Sequence, residues 1–533
     1  MQLQKSFTSL SQINKIILVT LTLVIFNVLV SLLIVNPIIS RLYSGESFFI
    51  IKPLSGRTEN PLDFYILRYI KFFIAFNLLG SFCLIGAVSS VKYFRQIRNN
   101  FNYANIYHQF IAGMKKNLLP DRNWKLIIAT ICIPVTFFII YVILGLQVSP
   151  YFNTFDYFGA DIGEQINGWT SMEWNSNHKG SHPLILLFVD FIGSGLNQLI
   201  SSKVVTVILL NAFFASLAVF LAFIFFRLVL VKFLDATLLT LVFGLSMSQL
   251  AFGMIPETYA FAAASIIATH ILFFICLRDK KLYTEYWVLT GLFTFGITIT
   301  NFAQSIICFS IVVILLRRKD RLAIVAEYIG VVFLISFLLS LIQHKIFPNA
   351  ALFFVPSTVV TELKYTAINI INHPLTTLHE LVQHFFIVNF VTASPLPPAE
   401  EMFTRRPIIG FFERPLNYSL VGLAGIVLWL SIFISGLFKN IQMIHQNRPM
   451  FYGIFLCILF NIALHSVFGV NEMFLYTCHF TFLVLAIITN LSLIKNRYYK
   501  AGLVALIVLM GTNNLWVMKQ IIEAATTLSN NTL

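Results

Sequence analysis

Apolar runs of about 20 residues recur along the chain from Ile16 to Val517, separated by short polar stretches. They are continuous rather than alternating, and their length matches an α-helix crossing a bilayer. The runs lie near 16–39, 64–90, 126–147, 203–226, 236–255, 258–277, 286–300, 302–316, 322–346, 419–438, 451–468, 472–494 and 500–517, predicting about 13 spans. The first is too long for a signal-peptide core and has no small-residue cleavage site after it, so it is expected to stay as a helix.

The polar stretches orient these spans. Lys92, Arg95, Arg98, Lys115, Lys116, Arg122 and Lys125 crowd the segment 91–125 against a single acid, Asp121. Basic clusters also mark 278–281, 317–321, 439–448 and 495–500. Lys and Arg near span ends are retained in the cytoplasm, so these five connections and the N-terminus are expected there, and the C-terminus outside. The stretches 148–202 and 347–418, the breaks near Pro256 and Asn301 and the turn at Asn471 then share the outer face. Residues 184–198 are apolar enough to cross, but a crossing would invert two later basic loops. A helix lying on the membrane surface, with Asp190, Gly193, Ser194, Gly195, Asn197 and Gln198 in it, satisfies the charges. The two short runs meeting at Thr300-Asn301 place a backbone break below the surface, which is tolerated only inside protein or at a wet cavity.

Composition agrees with the pattern: of 533 residues 58% are apolar and 11% charged, with a mean hydropathy of +0.83, which excludes soluble enzyme classes. The net charge of +14 is dispersed between the apolar runs, so it reports topology and gives no reason to expect nucleic acid. The six cysteines fall inside apolar runs without paired spacing, so neither a disulfide framework nor a zinc knuckle is readable. The expected fold class is all-α, a polytopic membrane protein with interfacial helices in its outer loops. It divides into two spans and a basic loop (1–120), a membrane module (121–346), an outer loop region (347–418) and C-terminal spans (419–533).

The outer face collects the candidate chemistry. Asp156 stands just beyond a span, among Phe155, Tyr157 and Phe158, with Asp161, Glu164 and Glu173 following. A partly desolvated carboxylate is a good proton acceptor, while a solvated acidic loop is the competing reading. Pro256 interrupts an apolar stretch and sets Glu257 at the start of the next helix, before Tyr259. The helix dipole alone would favour that carboxylate; as an acid at membrane depth it is equally a site candidate. His178 and His182 are spaced for a metal on a helix, but Gly180 and Pro183 argue against a helix there, leaving hydrogen-bond donation to an anion as the alternative. Arg405, Arg406 and Arg414, with Lys345 and Lys364, are cations on the face where few are expected. They either meet phosphate oxygens or pair with Glu400, Glu401 and Glu413.

The order of these features resembles the GT-C glycosyltransferases, bacterial polyprenol-linked sugar transferases akin to protein O-mannosyltransferases and lipid A aminoarabinose transferases. A basic segment precedes the span 126–146, and an outer loop with an early acid, Asp156, follows. Ser181-His182-Pro183-Leu184 then opens a surface helix, and Glu257 stands at the outer end of a later helix. The resemblance covers roughly 120–346. It implies inverting transfer from a polyprenyl-phosphate sugar to an extracytoplasmic acceptor, glycan, lipid or protein, with Asp156 as base and Glu257 as second acid. Asp161, Glu164, His178, His182, Tyr259 and Asn301 would contact substrate. Asn301 stands where many members carry Thr-Lys, so His182, Arg405, Arg406 and Arg414 would meet the phosphate. No cofactor is assigned, a divalent metal remains compatible, and no metal ligand is assigned. The expected setting is a bacterial inner membrane, with chemistry at the outer face of the lipid bilayer. Two other functions fit the topology: a lipid-linked oligosaccharide flippase or other transporter, and a polymerase or ligase of surface polysaccharide.

Overall fold

The computed structural model describes residues 124–171, 180–317, 319–355, 358, 366, 373–395, 399–400, 407–410 and 416–532. The expected spans 16–39 and 64–90, and with them all of residues 1–120, lie outside the described residues. So do His178, Lys364, Arg405, Arg406 and Arg414.

Among the described residues the protein is mostly α-helical, with eight helices long and apolar enough to cross a bilayer, or nine if one bent pair counts as a single span. In chain order, α1 (Trp124–Val148) is followed by strand β1 (Asp156–Tyr157), α2 (Ile162–Gly168), α3 (Ile185–Ile200), α4 (Lys203–Leu230), α5 (Phe233–Gly244) and α6 (Met247–Met254). Then come α7 (Tyr259–Asp279), α8 (Thr284–Ile297), α9 (Phe302–Leu316), α10 (Arg321–Ile346) and α11 (Pro374–Gln383). Strands β2 (Ala399–Glu400) and β3 (Pro407–Ile409) lead to α12 (Leu420–Gln442), α13 (Ile444–His465), α14 (Thr481–Ile487), α15 (Leu491–Ile494) and α16 (Arg497–Thr532). Along α1, Ile128, Ile131, Val135, Ile139, Ile143 and Leu146 recur every three or four residues and all stay exposed, an apolar stripe suited to lipid. By contrast α7 is buried along nearly its whole length and forms the centre of the bundle.

The departures from the expected 13 spans have physical causes. The run 236–255 bends by 62° between α5 and α6. At the bend the Tyr141 hydroxyl donates to Gly244 O at 3.0 Å and Asn514 Nδ2 to Leu245 O at 2.9 Å, while Ser248 N–H reaches Asn389 O at 3.1 Å. Backbone groups released by the bend are thereby paired inside protein. The run 286–300 is α8, only 14 residues long. The run 472–494 is not a continuous helix: a 3-10 coil, Val470–His479, precedes the short α14 and α15. Asp235 and Lys500, 2.7 Å apart, tie the start of α5 to the start of α16.

The region 347–418, expected as a loop, is in part more deeply buried than its polarity suggests. After α11, the π-helical turn His384–Val388 and the residues behind it enter the bundle, where Phe385, Val388 and Phe390 are fully buried. Asn514 accepts from Thr392 N–H and donates to Phe390 O, holding this segment at depth. Helix α3, expected to lie on the membrane surface, has 16 residues and is about 24 Å long, short of a full crossing. Phe191, Ile192 and Leu199 are exposed on one side, while Ile185, Leu186, Val189, Asp190 and Gly193 are buried on the other.

Candidate functional site

Two helix breaks, each occupied by a loop segment, assemble the site. At the first, between α6 and α7, Asn211 of α4 reaches the carbonyls of Phe252, Gly253 and Ile255 at 2.9–3.1 Å and accepts from Glu257 N–H at 3.4 Å. Glu257 is almost fully buried there, and its carboxylate accepts four hydrogen bonds. Asp161 N–H donates to Oε2 at 3.0 Å; Gln165 Nε2, Thr258 N–H and the Thr258 hydroxyl donate to Oε1 at 2.9, 2.8 and 3.2 Å. So many donors pair a buried carboxylate well. Glu257 thus fastens the acidic loop to the start of α7.

The path of that loop is set by a small sheet. β1 pairs in parallel with β3, which pairs antiparallel with β2, and Asp156 stands opposite Ile408. Beyond β1 the chain turns through two left-handed residues, Phe158 (φ 59°) and Gly159 (φ 81°). A phenylalanine rarely adopts that backbone, and the strain is sustained by packing of its ring against Phe252 and Phe474, centroids 6.2 and 5.0 Å away. At Gly159 the positive φ, not any lack of room, favours glycine, since a Cβ there would make only an ordinary contact, 3.6 Å from the Glu472 carboxyl group. The turn delivers the exposed Asp161 to Glu257, and Tyr259 lies within electrostatic range of Glu257, Glu472 and Asp161.

At the second break, between α8 and α9, Thr298 is extended and a single 3-10 turn, Ile299–Asn301, restarts the helix. Ser181 to Leu184 fills the gap. Leu184 N–H donates to Gly296 O at 2.9 Å, Ile299 N–H to Ser181 O at 3.1 Å, and His182 Nδ1–H to Ile297 O at 2.5 Å. Gln343 of α10 donates to Pro183 O at 2.9 Å. His182 Nδ1 therefore carries a proton; Nε2 is the acceptor when the ring is neutral and a second donor when it is an imidazolium.

The 3-10 coil Val470–His479 brings further polar groups to this end of the bundle. His479 stacks obliquely on Tyr259 (5.4 Å between centroids) and His465 on Tyr476 (4.7 Å). Burial, then His465, then His182 hold His479 well below the ordinary imidazole range, so it is neutral at physiological pH. Among the described residues no hydrogen-bond partner reaches either ring nitrogen of His479, His465 Nε2, Asn301 Nδ2 or Gln304 Oε1, all buried. Unmet polar atoms gathered in one place are an arrangement for a bound polar ligand.

The sequence candidates thus divide. Asp161, Glu257 and Tyr259 come together, and His182 joins them through His479. Asn301 stands at the second break. Glu164 lies in the first turn of α2, half-buried. Asp156 is held half-buried in β1, and it is Asp161 whose backbone touches Glu257. Glu472, Tyr476, His465 and His479 are not among the sequence candidates. Their signal is present: Glu472, Tyr476 and His479 inside the apolar run 472–494 and His465 inside 451–468, where ionisable groups are costly and mark sites. No metal ligand is expected from the sequence, where the His178 and His182 spacing is set against Gly180 and Pro183 and the cysteines show no paired spacing. The described cluster able to hold a metal ion is elsewhere, in His270, Cys308 and Cys457, whose ligand atoms all lie within 4.8 Å of one another. Compared with family models, curated proteins and solved structures, the chain finds no match.

Proposed function

We propose that this protein is a membrane glycosyltransferase that takes a sugar from a polyprenyl-phosphate donor and passes it, with inversion, to an acceptor at the extracytoplasmic end of the bundle. The observation that carries the reading is the convergence of first-loop Asp161, Glu257 at one helix break and His182 at the other. A lipid-borne donor enters sideways, so its enzyme needs an acid for the acceptor proton and donors for the departing phosphate at the membrane boundary. Acids and neutral imidazoles both occur in this cluster. Glu257 is occupied in holding the loop, which leaves the base to Asp156 or Asp161, and the contact with Glu257 favours Asp161. His479, Asn301 and His182, the last as an imidazolium donating through Nε2–H while Nδ1–H holds Ile297 O, are the proposed donors to phosphate, with Arg405 and Arg406 added from the outer loop.

The test is sugar release from a panel of polyprenyl-phosphate hexoses and pentoses by the purified protein in liposomes, with extracted membrane glycans as acceptors. Asp161→Asn should lower turnover by about 10²–10⁴-fold at unchanged protein level, and Asp156→Asn by much less. The opposite ranking would return the base to Asp156. No donor consumption by the wild-type protein with any of the panel would remove the reading. Transport of a lipid-linked sugar is a second reading, favoured by the 62° bend between α5 and α6 and by the broken segment 470–494. It predicts donor translocation across the liposome without loss of the sugar.

A further inference from the structure

Beneath the outer site, three helices bring soft ligand atoms together at the middle of the bundle. His270 lies in α7, Cys308 in α9 and Cys457 in α13, and all three are fully buried. Cys308 Sγ is 3.7 Å from His270 Nε2 and 3.9 Å from Cys457 Sγ. His270 Nδ1–H donates to Ile266 O at 2.9 Å, which fixes the tautomer and leaves the Nε2 lone pair facing the thiols. A backbone carbonyl on the far nitrogen is the support that metal-bound imidazoles usually have. Cys457 Sγ also faces Gln304 O at 3.7 Å.

We infer that His270, Cys308 and Cys457 bind one thiophilic metal ion, zinc(II) or copper(I), which pins α7, α9 and α13 together. Soft thiolates with an imidazole select these ions over magnesium or calcium. Charge agrees with depth. Zinc(II) displaces two thiol protons, and two thiolates with neutral imidazole bring the site to zero net charge. Copper(I) displaces one proton to the same end, as an apolar interior requires. The same helices carry Tyr259, Asn301 and His465 at their outer ends, about 10–17 Å away at 1.5 Å per residue. The ion would therefore hold the frame of the outer site without touching it, and the inference stands independently of the transferase proposal.

Two thiols side by side beside a histidine also occur as plain packing, and the experiment separates the cases. The full chain is purified in detergent through a tag lacking histidine, without chelator, and its metal content is measured as isolated and after loading with zinc(II) or, anaerobically, copper(I). About one equivalent per chain is expected, with the better-retained ion identifying the metal. Cys308→Ser with Cys457→Ser should lose it, and Cys132→Ser, whose thiol is exposed, should keep it. Should the double variant fail to fold, the wild-type protein decides. Alkylation of Cys308 and Cys457, mapped by mass spectrometry, should rise several-fold after chelation and fall on reloading, with Cys132 reacting throughout. Failure of the wild-type protein to take up either ion, metal retained by the folded double variant, metal-independent alkylation, or a Cys308–Cys457 disulfide in the isolated protein would each overturn the inference.

Discussion

The backbone N–H of Asp161 donates to Glu257 Oε2 at 3.0 Å, fastening the acidic loop after α1 to the point where α6 gives way to α7. Two segments far apart in sequence thus share one carboxylate. Glu257→Ala would strand the Gln165 amide and both Thr258 donors in a buried place and release the part-buried Asp161 N–H. Each stranded donor costs about 1–3 kcal/mol, so the variant should be destabilised by on the order of 3 kcal/mol or more. Glu257→Gln keeps one oxygen and should cost less. Thermal unfolding in detergent measures both; an alanine variant as stable as wild type would mean that the loop is held by other contacts.

How far this arrangement is legible in the sequence depends on the kind of signal. Apolar runs report spans well because the bilayer imposes length and polarity on each helix separately. The break in 286–316 is legible too, from two runs each too short to cross, although it falls at Thr298 rather than Thr300-Asn301 because Ser181 to Leu184 supplies the missing backbone partners there. The coil Val470–His479 is hidden, since Phe474, Leu475 and the residues after His479 keep the hydropathy of a span, while the His479 ring packs on Tyr259 through a contact that only the tertiary fold creates. The His270, Cys308 and Cys457 cluster is equally hidden. Its members stand 38 and 149 residues apart, and only the packing of three helices joins them.

The glycines of α3 make a paired prediction. A Cβ on Gly193 would lie 1.8 Å from the Trp169 carbonyl oxygen, whereas one on Gly195 meets nothing within 4 Å. Gly193 lets α3 settle directly on the end of the acidic loop, so Gly193→Ala should push α3 away. A loss of about 1–3 kcal/mol is expected, with raised protease sensitivity near Trp169. Gly195→Ala should be neutral or slightly stabilising, because alanine favours helix. Equal behaviour of the two variants would show that this contact is not maintained.

Membrane orientation is open to labelling. Asn153 is exposed just after α1, and Asn496 is exposed among the basic residues before α16. In a protein with Cys132 replaced by serine, an impermeant thiol reagent applied to intact cells should reach a cysteine at Asn153 and should miss one at Asn496 until the membrane is opened. The reverse pattern would put the acids and imidazoles of the candidate site in the cytoplasm.

Asp190 predicts a pH dependence of known sign. It is fully buried on the inner face of α3, with the Ser194 hydroxyl donating to Oδ1 at 3.2 Å. Burial pushes its carboxyl up from 3.8 to about 6, and the serine bond only partly opposes this. The folded state therefore holds this proton more tightly than the unfolded chain. Its contribution to stability is fully present below pH 3.8 and is lost as pH rises through about 6. Above that range the buried charge costs up to about 3 kcal/mol, since each tenfold change in proton affinity is worth about 1.36 kcal/mol. Asp190→Asn keeps the shape and cannot ionise. Melting temperatures of the two proteins should nearly coincide at pH 4, then diverge between pH 4.5 and 7, with the asparagine variant the more stable at pH 7.5. Other groups titrate in both proteins alike, so the difference between the curves isolates Asp190. Parallel curves across the range would mean that its carboxylate is ionised in the fold at little cost, through solvent reaching the inner face of α3.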